Sequence, residues 1–232
     1  MIMTTVEIKQ KVLDEASILL PVPADRTVNC HLCQSSGQPF YRDIFWVCSQ
    51  CKAIFRVTQY LPNPEAEKER YLKHHNDVSD PGYRSFVSPV THAVLQDFTT
   101  ESYGLDFGAG PGPVISRMLQ EKGYPIEQYD PIFKNDTHLL SRKYDYIICC
   151  EVIEHFHNPR KEFALLYNLL KPGGKLYCMT HLYDQEIDFD KWYYKNDITH
   201  VFIYQRQTLE WIKEEFSFKC LTVSNRLVVF ES

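Results

Sequence analysis

The stretch from Leu105 to Val114 reads LDFGAGPGPV, and it constrains this chain more than any other. Gly108, Gly110 and Gly112 sit between a strand-like and a helix-like segment. Glycines there permit a tight turn and a close approach of backbone to a ligand. The N–H groups that open the following helix favour a carboxylate or phosphate. Asp130 closes the next strand-like segment, about 20 residues on, where a carboxylate can grip ribose hydroxyls. This layout fits a dinucleotide or an adenosyl ligand. Two details favour S-adenosylmethionine. Pro113 stands where the dinucleotide fingerprint places its third glycine, and Asp106 stands just before the first glycine, placed to accept from an ammonium group.

From Gly104 onward, strand and helix patterns alternate. IEQYD, YDYIICCEV and KPGGKLYCMT read as strands, the last opening on a turn. PVISRMLQEKG, NPRKEFALLYNLL and RQTLEWIKEEF read as helices, and FKCLTVSN with RLVVFES reads as a terminal antiparallel pair. The expected fold is α/β: a Rossmann-like, mostly parallel sheet with an antiparallel last strand and helices on both faces. Upstream, Asn63 and Pro64 open a helix running to His75, and residues 83–98 form another with Pro89 as its kink or start. The chain divides into an N-terminal segment (1–27), a four-cysteine module (28–60), a helical connector or lid (61–99) and a ligand-binding domain (100–232).

Two Cys-x-x-Cys pairs, Cys30/Cys33 and Cys48/Cys51, are separated by fourteen residues. Two such knuckles complete a tetrahedral four-thiolate site, which predicts a zinc-ribbon-like module with a structural Zn2+. Unpaired core cysteines or a redox pair are the alternatives, and the missing βαβ pattern speaks against redox. Cys149, Cys150, Cys178 and Cys220 read as inert packed thiols.

Across 232 residues the net charge is −5, so no basic field points to nucleic acid and no DNA partner is expected. Neither a leader sequence nor an apolar run able to span a bilayer is visible, which predicts a cytoplasmic protein without a membrane span.

LDFGAGPG, YDP, YDYIICCEVIEH and LLKPGGKLYCMT together resemble, in order and spacing, the successive motifs of class I S-adenosylmethionine-dependent methyltransferases. Within them the chain looks most like the ubiquinone-pathway O-methyltransferases and the type 11–23 methyltransferase group. The resemblance covers roughly residues 100–231. It implies that Asp106, Gly108, Ala109, Gly110 and Gly112 hold the methionyl part, Asp130 the ribose, and Glu151 the methionyl and sulfonium end. Only thirteen residues separate Asp130 from Tyr144, so the third strand and its adenine-contacting acid are short or absent. Asp136 is the substitute the sequence offers.

EVIEHFHNP places Glu151, Glu154 and His155 on one face if the chain turns helically. Such a set suits a divalent cation, Mg2+ or another. Similar ExxEH segments bind metal in the ubiquinone-pathway enzymes and in the small-RNA 2′-O-methyltransferases, where a further histidine lies downstream. Here His200 has that context, and His181 competes with it. The alternative is a metal-free site with His155 as base or structural residue. Catalysis is accordingly assigned to Glu154, His155 and His200. His157 reads as an exposed loop residue. Trp192, Tyr193 and Tyr194 are candidate walls of an acceptor pocket, while Tyr83 and Arg84 belong to a candidate lid over 74–86. The expected acceptor is a small molecule with a hydroxyl. RNA methylation with the ribbon as docking module is the second reading, and a non-catalytic binding module the third.

Overall fold

The computed structural model describes residues 27–73 and 77–232. The N-terminal segment before Thr27, and His74, His75 and Asn76 of the candidate lid, lie outside the described residues.

A six-stranded sheet forms the body, in the order β5-β4-β6-β7-β10-β9. Its parallel part comprises β4 (Gly104–Phe107), β5 (Ile126–Tyr129), β6 (Tyr144–Cys150) and β7 (Leu170–Met179). The antiparallel β9 (Cys220–Ser224) and β10 (Leu227–Glu231) complete it. β6 is central and covered on both faces, which is why Tyr146, Ile147, Ile148 and Cys149 form a continuous buried run. On one face, α2 (Pro81–Asp97) and α3 (Val114–Gln120) pack Val87, Val90, Val94, Ile115 and Leu119 together. On the other, α4 (Pro159–Leu169) and α5 (Arg206–Glu215) contribute Phe163, Leu166, Leu209 and Ile212.

Between β5 and β6 there is only a 3-10 turn, Thr137–Ser141, so β5 is an edge and the third strand is absent. Two local expectations change. Pro89 lies inside α2, which starts earlier at Pro81 with Asp80 capping Gly82 N–H. The KPGG segment is not a turn before β7 but an irregularity within it. The register against β6 shifts between Tyr144 and Tyr146, and Gly173 adopts φ +76°.

A second sheet has the order β1-β2-β3-β8. β1 (Gly37–Tyr41), β2 (Phe45–Cys48) and β3 (Ile54–Arg56) come from the four-cysteine segment. β8 (Phe202–Ile203) comes from the far end of the chain, pairing Ile54 with Ile203 and Phe55 with Phe202. Cys30, Leu32, Phe55 and Val57 pack into the same core as Phe163, Phe202 and Tyr204. The four-cysteine module is therefore joined to the rest of the chain by its pairing with β8 and by a shared core. The connector helix α1 (Pro64–Leu72) is capped by Asn63, which accepts from Ala66 N–H. Among the described residues no helix is long and apolar enough to cross a membrane.

Candidate active site

The four ribbon thiols converge. Cys30 Sγ and Cys51 Sγ lie 3.6 Å apart, Cys33 Sγ and Cys48 Sγ 3.2 Å, and all four within 4.8 Å of one another. Tetrahedral zinc with bonds of about 2.3 Å sets sulfurs about 3.8 Å apart, so the set fits that ion. Leu32 N–H donates to Cys30 Sγ and Gln50 N–H to Cys48 Sγ, each at 3.4 Å, as a knuckle stabilising thiolates does. None of the four thiols lines the cavity at the C-terminal ends of β4, β5 and β6.

A cavity of about 1240 Å³ opens at the C-terminal ends of β4, β5 and β6, where an open α/β sheet places its ligands. The glycine loop forms one wall. Gly108 and Gly110 adopt φ of +79° and +63°. A Cβ on Gly108 would lie 2.7 Å from both Cγ atoms of Val152, whereas one on Gly110 meets nothing within 4 Å. Gly108→Ala is thus expected to lower the melting temperature clearly more than Gly110→Ala, which adds only the left-handed strain of about 1–2 kcal/mol. Parallel thermal melts check this, and equal losses would mean that Val152 yields.

Asp106 is buried below this loop and accepts from Ser116 Oγ at 2.7 Å. Burial pushes its carboxyl up to about 6 against the pull of that hydrogen bond. Asp130 Oδ2 accepts from Gly110 N–H at 2.9 Å, and its Oδ1 from Ile132 and Phe133 N–H at 2.8 and 2.9 Å. One carboxylate thereby ties the glycine loop to the turn after β5.

The ExxEH segment is a single 3-10 turn, Ile153–His155, entered through Glu151 at φ +53°. Glu154, His155 and His200 come together, with donor atoms within 4.8 Å of one another. Glu151 and His181 lie outside that set. Glu151 is instead held by Arg226, whose Nη2 reaches both carboxylate oxygens at 2.9 and 2.8 Å. Burial, then the neighbouring Glu154, pushes the Glu151 carboxyl up to about 8 despite that guanidinium. The expected four-ligand set loses Glu151 because the left-handed turn sends it to Arg226. His181 packs edge-on against Trp192, with ring centres 5.1 Å apart, and is not part of the cavity wall.

The residues around the trio fix it. His155 Nδ1 lies 2.9 Å from the Thr199 carbonyl, and His200 Nδ1 2.7 Å from the Tyr194 carbonyl. A carbonyl only accepts, so each ring carries a proton on Nδ1, which leaves Nε2 as the nitrogen able to offer a lone pair. Glu154 is fully buried behind them. Its Oε1 accepts from Tyr194 OH at 2.6 Å, while Oε2 is buried with no hydrogen-bond partner among the described residues. Burial holds His200 below its ordinary pKa, opposed by the charge of Glu154. Asp197, beside His200, is pushed up by burial. The hydrogen bonds from Thr199 and the 2.6 Å ion pair with Arg70 outweigh that and hold its carboxyl well below the usual range.

Tyr83, Tyr193 and Tyr194 line the cavity; Arg84 and Trp192 do not. Arg84 pairs with Glu121, and Trp192 is buried with Phe45, Phe189 and Ile203 behind the wall. His157, expected as an exposed loop residue, lines the cavity and bonds Glu67 at 2.8 Å. Asp136 is a correction too. It is exposed, lies off the cavity, and caps the 3-10 turn through His138 N–H at 3.1 Å. The sequence reading missed Tyr71, Arg70 and Glu67 from α1, Arg226 from the β9–β10 turn, and Glu162 from α4. Each reaches the cavity through tertiary packing and carries no local motif.

The family described as "Methyltransferase domain" matches residues 55–223, well over half of the chain. The ubiquinone biosynthesis O-methyltransferase of Erwinia tasmaniensis is 31% identical over 77 residues, 33% of this chain and 32% of that protein. The same-named enzyme of Proteus mirabilis is 30% identical over 80 residues, 34% and 33%. The match therefore spans about a third of these relatives' length. Among solved structures, a SAM-dependent methyltransferase from Archaeoglobus fulgidus has TM-score 0.51 at 15% identity, covering 74% of this chain and all of that one. An O-methyltransferase family protein from Burkholderia thailandensis has TM-score 0.50 at 10% identity, covering 71% and 61%. The chain belongs to the methyltransferase-domain family and carries the fold of the class I, S-adenosylmethionine-dependent methyltransferases.

Proposed function

We propose that the protein transfers a methyl group from S-adenosylmethionine to a hydroxyl of a small molecule. The observation that carries this reading is the Glu154–His155–His200 trio in and behind the wall of the glycine-loop cavity. The cofactor, when bound, supplies an electrophilic methyl carbon on a sulfonium, and displacement there mainly needs alignment and exclusion of water. Asp106 would receive its ammonium group, the glycine loop its carboxylate, and Asp130 its ribose. The aromatic walls Tyr71, Tyr83, Tyr193 and Tyr194 limit water access.

The trio acts on the acceptor. Two oriented Nε2 lone pairs and the unpartnered Glu154 Oε2 suit a divalent cation, which would lower the pKa of an acceptor hydroxyl. The bond from Tyr194 to Glu154 favours a second, metal-free arrangement. There Glu154 stabilises a cationic imidazole and one histidine Nε2 takes the hydroxyl proton. Activity measured after exhaustive chelation and graded return of Mg2+ or Mn2+ separates the two.

The cavity wall supports a small acceptor over RNA. It carries six carboxylates, Glu67, Asp106, Asp130, Glu151, Glu162 and Asp197, against three cations, Arg70, Lys161 and Arg226. Arg70 and Arg226 are already ion-paired. The names of the curated relatives point the same way. Labelled methyl transfer into a cell extract tests it: the product is expected in the low-mass fraction and to survive RNase. Label lost on RNase treatment would replace this reading with RNA methylation. Zn2+ in the ribbon is proposed as structural.

A pH dependence follows from Asp106. The ammonium group needs an ionised partner, so cofactor affinity is expected to fall as pH drops through about 6. Stability of the ligand-free protein has the opposite sign. An acid whose pKa is raised on folding binds more protons folded than unfolded between its two pKa values, so this group stabilises less as pH rises through that window. Calorimetric affinities and melts at pH 5 and pH 7.5 check both signs, and Asp106→Asn should flatten them.

A further inference from the structure

Six carboxylates line the cavity, and five have partners. Asp106 holds Ser116, Asp130 holds three backbone N–H groups, Glu151 holds Arg226, Asp197 holds Arg70 and Thr199, and Glu67 holds His157. Glu162 is the sixth. No hydrogen bond or ion pair of its carboxylate is found among the described residues. It stands in the first turn of α4, whose cap Asn158 and neighbour Lys161 also line the cavity. It is partly buried, and that burial raises its pKa. Among the described residues it is therefore the lining acid left free to accept from a ligand donor.

Its place in the cavity is defined. Glu162, Tyr129 and Asp130 line the same cavity, and α4 packs against the 3-10 turn that follows β5. Tyr129 stacks toward Phe107, with ring centres 5.2 Å apart, and Phe107 meets Phe156 at 6.3 Å. Glu162 thus sits toward the Asp130 end of the cavity, whose wall there is the aromatic set Phe107, Tyr129 and Phe156. β5 is the edge strand of the sheet at this end, and Asp136, in the segment after it, is turned away to cap its own 3-10 turn.

Resting on the cofactor assignment above, we infer that Glu162, on α4, is the residue that recognises the adenine amino group, in place of an acid after a third strand. The amino group donates and the carboxylate only accepts, so the pair is complementary. A base with an oxygen at that position presents an acceptor to an acceptor and is rejected. The helix α4 then becomes a cofactor-binding element, which its sequence does not announce.

The test is calorimetric binding of S-adenosylhomocysteine and S-inosylhomocysteine to the parent, Glu162→Ala and Glu162→Gln. The parent is expected to prefer the adenosyl ligand about 100-fold or more. Glu162→Ala should weaken adenosyl binding about tenfold or more and reduce the preference to a few-fold. Glu162→Gln keeps an acceptor oxygen, gains a donor, and should fall between in adenosyl binding while tolerating inosyl best. Circular dichroism confirms that each variant is folded, and a variant that fails this is replaced by Glu162→Met at similar volume. Unchanged affinity and unchanged base preference in a folded Glu162→Ala overturns the inference. If the parent binds neither ligand, the cofactor assignment itself has failed.

Discussion

Replacing Cys51 with serine is expected to abolish methyl transfer, although Cys51 does not line the cavity. The route is a chain of main-chain hydrogen bonds. The thiols fix the β2–β3 turn, and β3 pairs with β8. Arg56 N–H donates to the Val201 carbonyl at 2.8 Å, and Val201 N–H donates to the Glu154 carbonyl at 2.9 Å. His200 directly precedes Val201. The same segment fixes the ExxEH turn twice more, through Thr199 O to His155 and Tyr204 OH to Ile153 O at 2.9 Å. On the structural zinc proposed above, metal binding contributes on the order of 10 kcal/mol to folding, so losing one thiolate would remove several kcal/mol. A loss of about 3 kcal/mol lowers the melting temperature of a chain this size by about 10 °C. Turnover should fall far more than cofactor affinity, because the glycine loop and Asp130 bond within the six-stranded sheet and its own loops. Zinc content, melts, turnover and calorimetry on one preparation read all four. A zinc-free Cys51→Ser protein with parental turnover would show that the ribbon does not position the trio.

His200→Ala and Glu154→Gln are the second pair with a large expected effect. Removing a positioned base or ligand costs about 10²–10⁴ in turnover, while the affinity for S-adenosylhomocysteine should stay within a few-fold. The two variants need not behave alike. If a cation is held, both shift the metal response, and His200→Ala is partly rescued by imidazole or by higher metal. If His200 acts as base, its variant loses the alkaline-going rise of the pH–rate profile, and Glu154→Gln weakens that rise without a metal effect. A loss of cofactor affinity as large as the loss of turnover would place these residues in cofactor binding instead.

Much of the fold was legible because its signals are local. The glycine loop, the apolar run of β6, the Asn63–Pro64 and Asn158–Pro159 helix starts and the alternation of elements each follow from periodicity or capping. Even the missing strand could be read, since thirteen residues cannot hold a helix, a strand and another helix. The candidate site was only partly legible. Glu154 and His155 announce themselves as neighbours, but whether Glu151 joins them depends on a single left-handed residue and on Arg226 arriving from a distant hairpin turn. Spacing alone could not choose between His200 and His181. Both follow β7 among aromatic residues, and the choice is made by the Val201–Glu154 hydrogen bond and the β3–β8 pairing.

The glycine loop at Leu105 to Val114 was determined by sequence alone, because only glycine adopts those positive φ angles without strain and their order along the chain sets the turn. The four-cysteine spacing is of the same kind, since each knuckle closes within four residues. Tertiary structure decided what these pieces serve. It made the ribbon part of the scaffold behind His200, left Glu162, among the described residues, as the lining carboxylate without a hydrogen-bond partner, and turned Asp136 away from the cavity. Those outcomes depend on long-range strand pairing and on which donor each buried acceptor meets, and neither is written in any local stretch of the chain.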